Sequence, residues 1–179
     1  QQLGICELSK LKGVYDKLLR QNKSGNVQGI AQVHQDIAEQ NPAGAFLCGY
    51  PVFREICRLQ VRKTARFDEN EYILLLTLKA GEYTGSKVSD VNLFRIRNAM
   101  PHLVETLKKS LRPGDAVAQF SDSQYVILLS ACTYEGGMLV ANRIISKFYQ
   151  DNKIYRNLKI KINIEKVKTT ENILSKYTG

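Results

Sequence analysis

The sequence predicts an α+β fold: a central antiparallel sheet layered with helices, preceded by an N-terminal helical hairpin. Three observations carry that expectation. Ile73 to Leu78 is an uninterrupted run of strand length, the kind buried on both faces at the centre of a sheet. Leu158, Ile160, Ile162 and Ile164 alternate with Lys159, Lys161, Asn163 and Glu165, the period of a strand with one face inward. Ile96, Met100, Leu103, Leu107 and Leu111 fall at steps of four, three, four and four, which is one buried stripe of a long helix.

The elements follow in order. Leu8, Leu11, Tyr15, Leu18 and Leu19 are helically spaced, and the polar stretch from Gln21 to Asn26 breaks them off. Val27, Ile30, Val33 and Ile37 mark a second amphipathic helix, ended by Asn41-Pro42-Ala43-Gly44. The pair would form a helical hairpin whose apolar faces need another partner. After the apolar Ala45-Phe46-Leu47-Cys48 and a Gly49-Tyr50-Pro51 turn, a helical pattern runs from Val52. Phe53, Ile56, Leu59 and Gln60 fall on or near one side of it, and Arg54, Arg58, Arg62 and Arg66 lie opposite. Lys79 to Ser89 reads as a loop, and Asp90 suits the N-cap of the long helix. Pro101 should kink that helix if it is interior, and Pro113-Gly114 stops it. Ala116-Val117-Ala118 and Tyr125 to Leu129 are strands around a Ser121-Asp122-Ser123 turn. Thr133 can cap a helix carrying Met138, Leu139, Ala141, Ile144, Ile145 and Phe148, before the alternating last strand. Helix, strand, helix, hairpin, helix, strand is the order of a ferredoxin-like sandwich. The expected division is a helical connector over 1–44, the main domain over 45–168 and a polar tail over 169–179.

Composition narrows the class. At 179 residues, 44% hydrophobic and 24% charged, the chain suits one soluble domain with a helical extension. No apolar run approaches the ~20 residues of a membrane helix, and the first residues carry no signal peptide, so a cytoplasmic location with no membrane partner is expected. The chain does not begin with Met and is read as a fragment of a longer protein. Cys6, Cys48, Cys57 and Cys132 stand far apart without a C-x-x-C pair, as reduced core cysteines do, and neither a metal site nor a cofactor is expected. The net charge of +9 falls on the arginine stripe and on Lys153, Arg156, Lys159, Lys161, Lys166 and Lys168. Two solvated faces explain it; an acidic partner, a nucleotide or nucleic acid would explain it too.

Leu111 to Ser130 carries a more specific signal. A basic residue and an Asp precede a strand, a five-residue turn and a second apolar strand. This resembles the signature hairpin of the GGDEF family, the diguanylate cyclases, with Ser121, Asp122, Ser123, Gln124 and Tyr125 at the five signature positions. The resemblance covers roughly residues 46 to 167 and implies a nucleotidyl-cyclase-like sandwich. Gly49-Tyr50-Pro51-Val52-Phe53-Arg54, Leu74-Leu75-Leu76-Thr77-Leu78 and Arg112-Pro113-Gly114-Asp115 are similar to a narrower group. These are degenerate GGDEF-like domains at the C-terminus of bacterial transcriptional activator (BTAD/SARP-type) regulators.

Cyclase chemistry on this frame needs carboxylates, because two Mg²⁺ ions must bridge the phosphates of GTP while a hydroxyl is deprotonated. The resemblance puts the metal carboxylates at Thr77, Lys79, Ser123 and Gln124, the close-approach glycines at Ser121 and Asp122, and the guanine-reading Asp at Arg97. None of these positions keeps the family's residue, so the chain is expected not to be an enzyme and to have no catalytic residues. It would instead serve as a regulatory or interaction module beside upstream DNA-binding and activation domains. Arg112-x-x-Asp115 retains the spacing of the family's product-inhibition site, which implies the alternative of a cyclic di-GMP receptor. An Arg at a helix end and an Asp beside Pro-Gly are equally ordinary structural choices. A homodimer stays open, and DNA contact by this fragment is not expected. Gly136-Gly137 lacks the rest of a phosphate loop, and His102 reads as structural.

Overall fold

The structure, a computed structural model, describes residues 29–38, 43–67, 70–80 and 88–168, the side chains of 65–67 and 88–90 excepted. The chain falls into two units, residues 1–41 and 42–179. In the first, the described helix is α1 (Ile30–Ile37), with Ile30, Val33 and Ile37 exposed and Gln32 Nε2 donating to Asp36 Oδ1 at 3.0 Å. The expected helix over Leu8 to Leu19 and the tail from 169 lie outside the described residues.

The second unit runs β1 (Phe46–Leu47), α2 (Tyr50–Phe67), β2 (Tyr72–Ala80), α3 (Val88–Ser110), β3 (Ala116–Ser121), β4 (Gln124–Leu129), α4 (Tyr134–Asp151), a 3-10 turn (Lys153–Tyr155) and β5 (Leu158–Lys166). The five strands form one sheet in the order β1-β3-β4-β2-β5. β1 is parallel to β3 and every other neighbouring pair is antiparallel. Strands β2 and β3 are joined through α3 with β4 inserted between them. Strands β4 and β5 are joined through α4 with β2 between them. This interlocked pair of split β-α-β units is the ferredoxin-like order that the sequence implies.

Alternation in the strands creates two faces. Leu74, Leu76, Leu78, Ile127 and Leu129 face α3 and α4, where Leu103, Leu107, Ile144 and Phe148 close a core with no exposed surface to speak of. Leu158 is buried in it, and Ile160, Ile162 and Ile164 pack against it from β5, as their alternation requires. On the other face Phe53 of α2 covers Ala116, Ala118, Val126 and Leu128.

Several local expectations are corrected. β2 is not buried on both sides: Ile73 and Leu75 are only half-buried, because α2 lies over the β3–β4 half of the sheet. Leu59 and Leu139 are exposed, since the buried face of α2 runs through Phe53, Ile56 and Cys57 and that of α4 through Gly137, Ala141, Ile144 and Phe148. α3 begins at Val88, which puts Asp90 inside its first turn, and it continues through Pro101. Thr133 does cap α4, its Oγ1 accepting from Gly136 N at 3.1 Å. Among the described residues Cys48, Cys57 and Cys132 form no disulfide, and no helix is long and apolar enough to cross a membrane.

Candidate functional site

Residues at both ends of the β3–β4 hairpin were singled out by the sequence, and the structure gives the two ends different chemistry. At the tip, pairing continues to Ser121↔Gln124, with an irregularity between Gln119 and Ser121, so Asp122 and Ser123 alone make the turn. The tip lies against the end of β2: Leu78 N donates to Ser123 O at 2.8 Å. Gln124 Nε2 donates to Thr77 Oγ1 at 3.0 Å, Ser121 Oγ donates to Gln124 Oε1 at 3.0 Å, and Ser123 N donates to Ser121 Oγ at 3.3 Å. Neutral side chains therefore satisfy one another across the strand ends. Tyr125 turns inward, its hydroxyl donating to Met100 O at 3.4 Å, and burial raises the phenol above its ordinary pKa.

Asp122 is the one carboxylate of the turn, and Arg97 of α3 takes it in an ion pair with Nη2 3.0 Å from Oδ2. Both side chains are about two-thirds exposed or more, at 67% and 73%. With Met100 and Gln119 they line a hollow of about 330 Å³ between the hairpin and α3. Each of the two positions was read from the sequence as a separate loss. Their opposite charges were the available sign that they meet, but nothing in the chain's spacing brings residues 97 and 122 together.

The base of the hairpin is an anchor. Asp115 is buried, its side chain 3% exposed, and its carboxylate accepts from Arg112 N at 2.9 Å and Ser130 N at 3.3 Å. It ties the end of α3 to the ends of β3 and β4. Arg112 holds its Nε 4.0 Å from that carboxylate and donates from Nη2 to Ser130 O at 3.2 Å, while its guanidinium stays largely exposed. Ser130 Oγ donates to Gly114 O at 2.9 Å, and Arg143 donates to Ser110 O at 2.6 Å, closing the last turn of α3. Arg112 and Asp115 are thus brought together, with the guanidinium facing solvent and the carboxylate facing the protein. They stand at the opposite end of β3 from Asp122.

The metal ions that the family resemblance implies do not fit these donors. Thr77, Lys79, Ser123 and Gln124 offer two hydroxyls, an ammonium and an amide, and Thr77 and Gln124 are already bonded to each other. Mg²⁺ requires hard anionic oxygens at short range, and among the described residues no group of three or more His, Cys, Asp or Glu side chains stands close enough to hold an ion.

No protein-family profile and no curated protein sequence matches the chain. Solved structures do. A DGC protein from Thermotoga maritima is 13% identical over 76% of this chain and 95% of its own, with a TM-score of 0.53. The FimX GGDEF domain from Pseudomonas aeruginosa is 12% identical over 76% of this chain and 86% of its own, also at 0.53. The diguanylate cyclase SiaD from Pseudomonas aeruginosa, solved with its activator SiaC, is 8% identical over 96% of this chain and 64% of its own, at 0.51. The fold is the GGDEF fold. At these identities the likeness is one of architecture alone. It nevertheless corrects the expectation that the chain is not an enzyme. The GGDEF fold carries diguanylate cyclases, SiaD among them, so the fold gives no ground for setting this chain apart from enzymes.

Proposed function

We propose that this GGDEF-fold domain is a regulatory and interaction module of a cytoplasmic bacterial transcription regulator. It acts by packing against upstream DNA-binding and activation domains, by dimerising, or by relaying a signal to those domains. Residues 1–44 serve as the connector, 45–168 as the module and 169–179 as the tail. The observation that carries the reading is the hairpin tip. The frame of the fold is kept, while the residues at the turn are spent on one another, on β2 through Gln124–Thr77 and on α3 through Arg97–Asp122. A turn stabilised in this way holds a surface in shape. SiaD, a protein of this fold, is solved in complex with an activator protein, which supports a role through protein contacts.

The test is a reporter assay with the full-length regulator and a version lacking residues 46–168. Removal of the domain should change promoter output several-fold while DNA binding by the upstream part persists; unchanged output sinks the proposal. Cyclic di-GMP measured in the same strains separates control by contact from control through a synthesised nucleotide.

The exposed Arg112 guanidinium favours a second reading, a receptor for cyclic di-GMP through Arg112 and Asp115. It is the weaker one, because two backbone N–H groups already occupy the Asp115 carboxylate. Calorimetry with cyclic di-GMP decides it: binding heat that disappears in Arg112→Ala supports the receptor, and no heat at high ligand concentration removes it.

A further inference from the structure

The face of the sheet that α2 leaves half-covered holds a groove of about 720 Å³ between one flank of α2 and strands β2 and β5. Its floor is apolar: Cys57 and Val61 from the helix, Ile73 and Leu75 from β2, and Val167 just beyond β5. All five are half-buried, so their apolar surface is gathered in one place and still meets water. The rim is cationic on both walls, with Arg54, Arg58 and Arg62 on the helix and Lys166 and Lys168 on the strand side. Among the described residues one carboxylate, Glu165, lines the groove against these five cations, and Lys168 already holds it at 3.9 Å. Arg58 and Arg54 share Glu55 at 2.7 and 3.6 Å. Among the described residues Arg62 and Lys166 have no such carboxylate.

We propose that this groove docks an acidic amphipathic helix of a partner protein, aliphatic side chains in the floor and carboxylates against the two walls. The proposal rests on the reading of the domain as an interaction module and names the chemistry of what it holds. Charge and spacing select the occupant. The three arginines recur every four residues, about 6 Å apart along the helix axis. Carboxylates four residues apart on a partner helix repeat at the same interval, and an apolar stripe runs beside them. A nucleic-acid strand fits less well, because among the described residues no aromatic ring lines the groove for a base to stack on. A small ligand would find, among the described residues, one neutral polar side chain, Asn163, to fix its orientation. A second copy of this chain would bring a net charge of +9 against this cationic rim, which disfavours it as the occupant of the groove.

The probe is a synthetic fluorescein-labelled helix of about 16 residues, with leucines at the i, i+3, i+4 and i+7 positions and glutamates flanking them. Anisotropy with the whole chain should show saturable binding that weakens as salt rises. The double variant Arg62→Glu/Lys166→Glu should weaken it at least about tenfold, and so should Val61→Asp, which puts a charge in the floor. Arg62 and Lys166 are exposed, so the double variant should keep the wild-type circular dichroism and melting temperature. Absent binding, equal binding to the variants, or equal binding of a peptide with serines in place of the leucines would overturn the proposal. So would tighter binding of oligothymidine that ignores Val61→Asp. If deletion of residues 46–168 changes transcription while the groove variants neither bind less peptide nor alter output, the docking inference fails and the regulatory role stands. If the deletion changes nothing, the regulatory role fails whatever the peptide does.

Discussion

The two faces of the sheet are built from the same strands and differ in almost every physical respect. Toward α3 and α4, successive inward residues of β2 are sealed: Leu74, Leu76 and Leu78 are 0%, 0% and 1% exposed. Toward α2, their neighbours Ile73 and Leu75 are half-buried and line an open groove. Among the described residues two long helices cover the first face, one helix covers half of the second, and the other half has a cationic rim. Stability is therefore concentrated on one side, which leaves the other free to carry a surface chosen for something else. Side chains that close a core can be replaced only by others of like volume. Those of a half-covered face can vary with a partner.

The sharpest way to break this comparison is to truncate neighbours on β2 that point opposite ways. Leu76→Ala opens a cavity in a sealed core and should destabilise the domain by about 2–5 kcal/mol. Leu75→Ala removes the same atoms from a half-wet surface and should cost about 1 kcal/mol or less. Urea denaturation of both variants checks it, and equal losses would mean that the second face is covered in solution after all.

Polar anchors sharpen the same contrast at a smaller scale. Asp115, on the α3 side, bridges two backbone N–H groups in a buried position, and Asp115→Ala should cost about 1–3 kcal/mol by leaving both donors without an acceptor. Glu165, in the rim of the groove, meets Lys168 in an exposed pair, and Glu165→Ala should fall within about 1 kcal/mol of wild type. Chemical denaturation orders them; an Asp115 variant as stable as the Glu165 variant would show that the hairpin base is no anchor.

How far the sequence exposed these differences depends on whether a feature is periodic. The β5 alternation and the four- and three-residue steps of α3 are repeated signals, and each element folds with the stripe inward that its spacing marks. The exposure of Leu59 and Leu139 was hidden, because a leucine on the margin of a helical stripe looks the same whether a neighbouring element reaches it or not. The half-burial of Ile73 and Leu75 was hidden for the same reason: an all-apolar strand does not say which face its helices cover. At the hairpin, the turn and its flanking strands were legible from the apolar runs. The Arg97–Asp122 pair and the inward Asp115 depend on how α3 packs beside the hairpin, and a pair 25 residues apart in the chain gives no local sign of that.

Chemistry as well as energy separates the faces. Burial, reinforced by Glu71 and Cys48, pushes the Cys57 thiol in the groove floor up to about 11. Its ordinary value is 9.0, so the folded protein should hold roughly a hundredfold less thiolate there at pH 8. Iodoacetamide should therefore label Cys57 slowly in the native state and rapidly in urea, as mass spectrometry of the digested protein would show. The sign for stability follows. From about pH 9 the unfolded chain gives up a proton that the folded chain keeps until about 11, so stability falls as pH rises through that window and is unaffected below it. Fast native labelling at pH 8 would mean that the floor is more open than half-buried.

The smallest effect tests whether the hairpin tip belongs with the sealed face or with the exposed one. Arg97 reaches from α3, a helix of the sealed side, yet its pair with Asp122 lies in water. Exposed pairs contribute little, so Arg97→Ala and Asp122→Ala should each destabilise by less than about 1 kcal/mol, and the double variant should differ little from either single one. Salt should erase what coupling there is. A coupling well above 1 kcal/mol that persists in high salt would make the pair a structural clasp joining the turn to α3. Weak, salt-sensitive coupling would leave the tip as a surface, held in register mainly by the Gln124–Thr77 and Ser121–Gln124 hydrogen bonds and able to change partners without cost to the core.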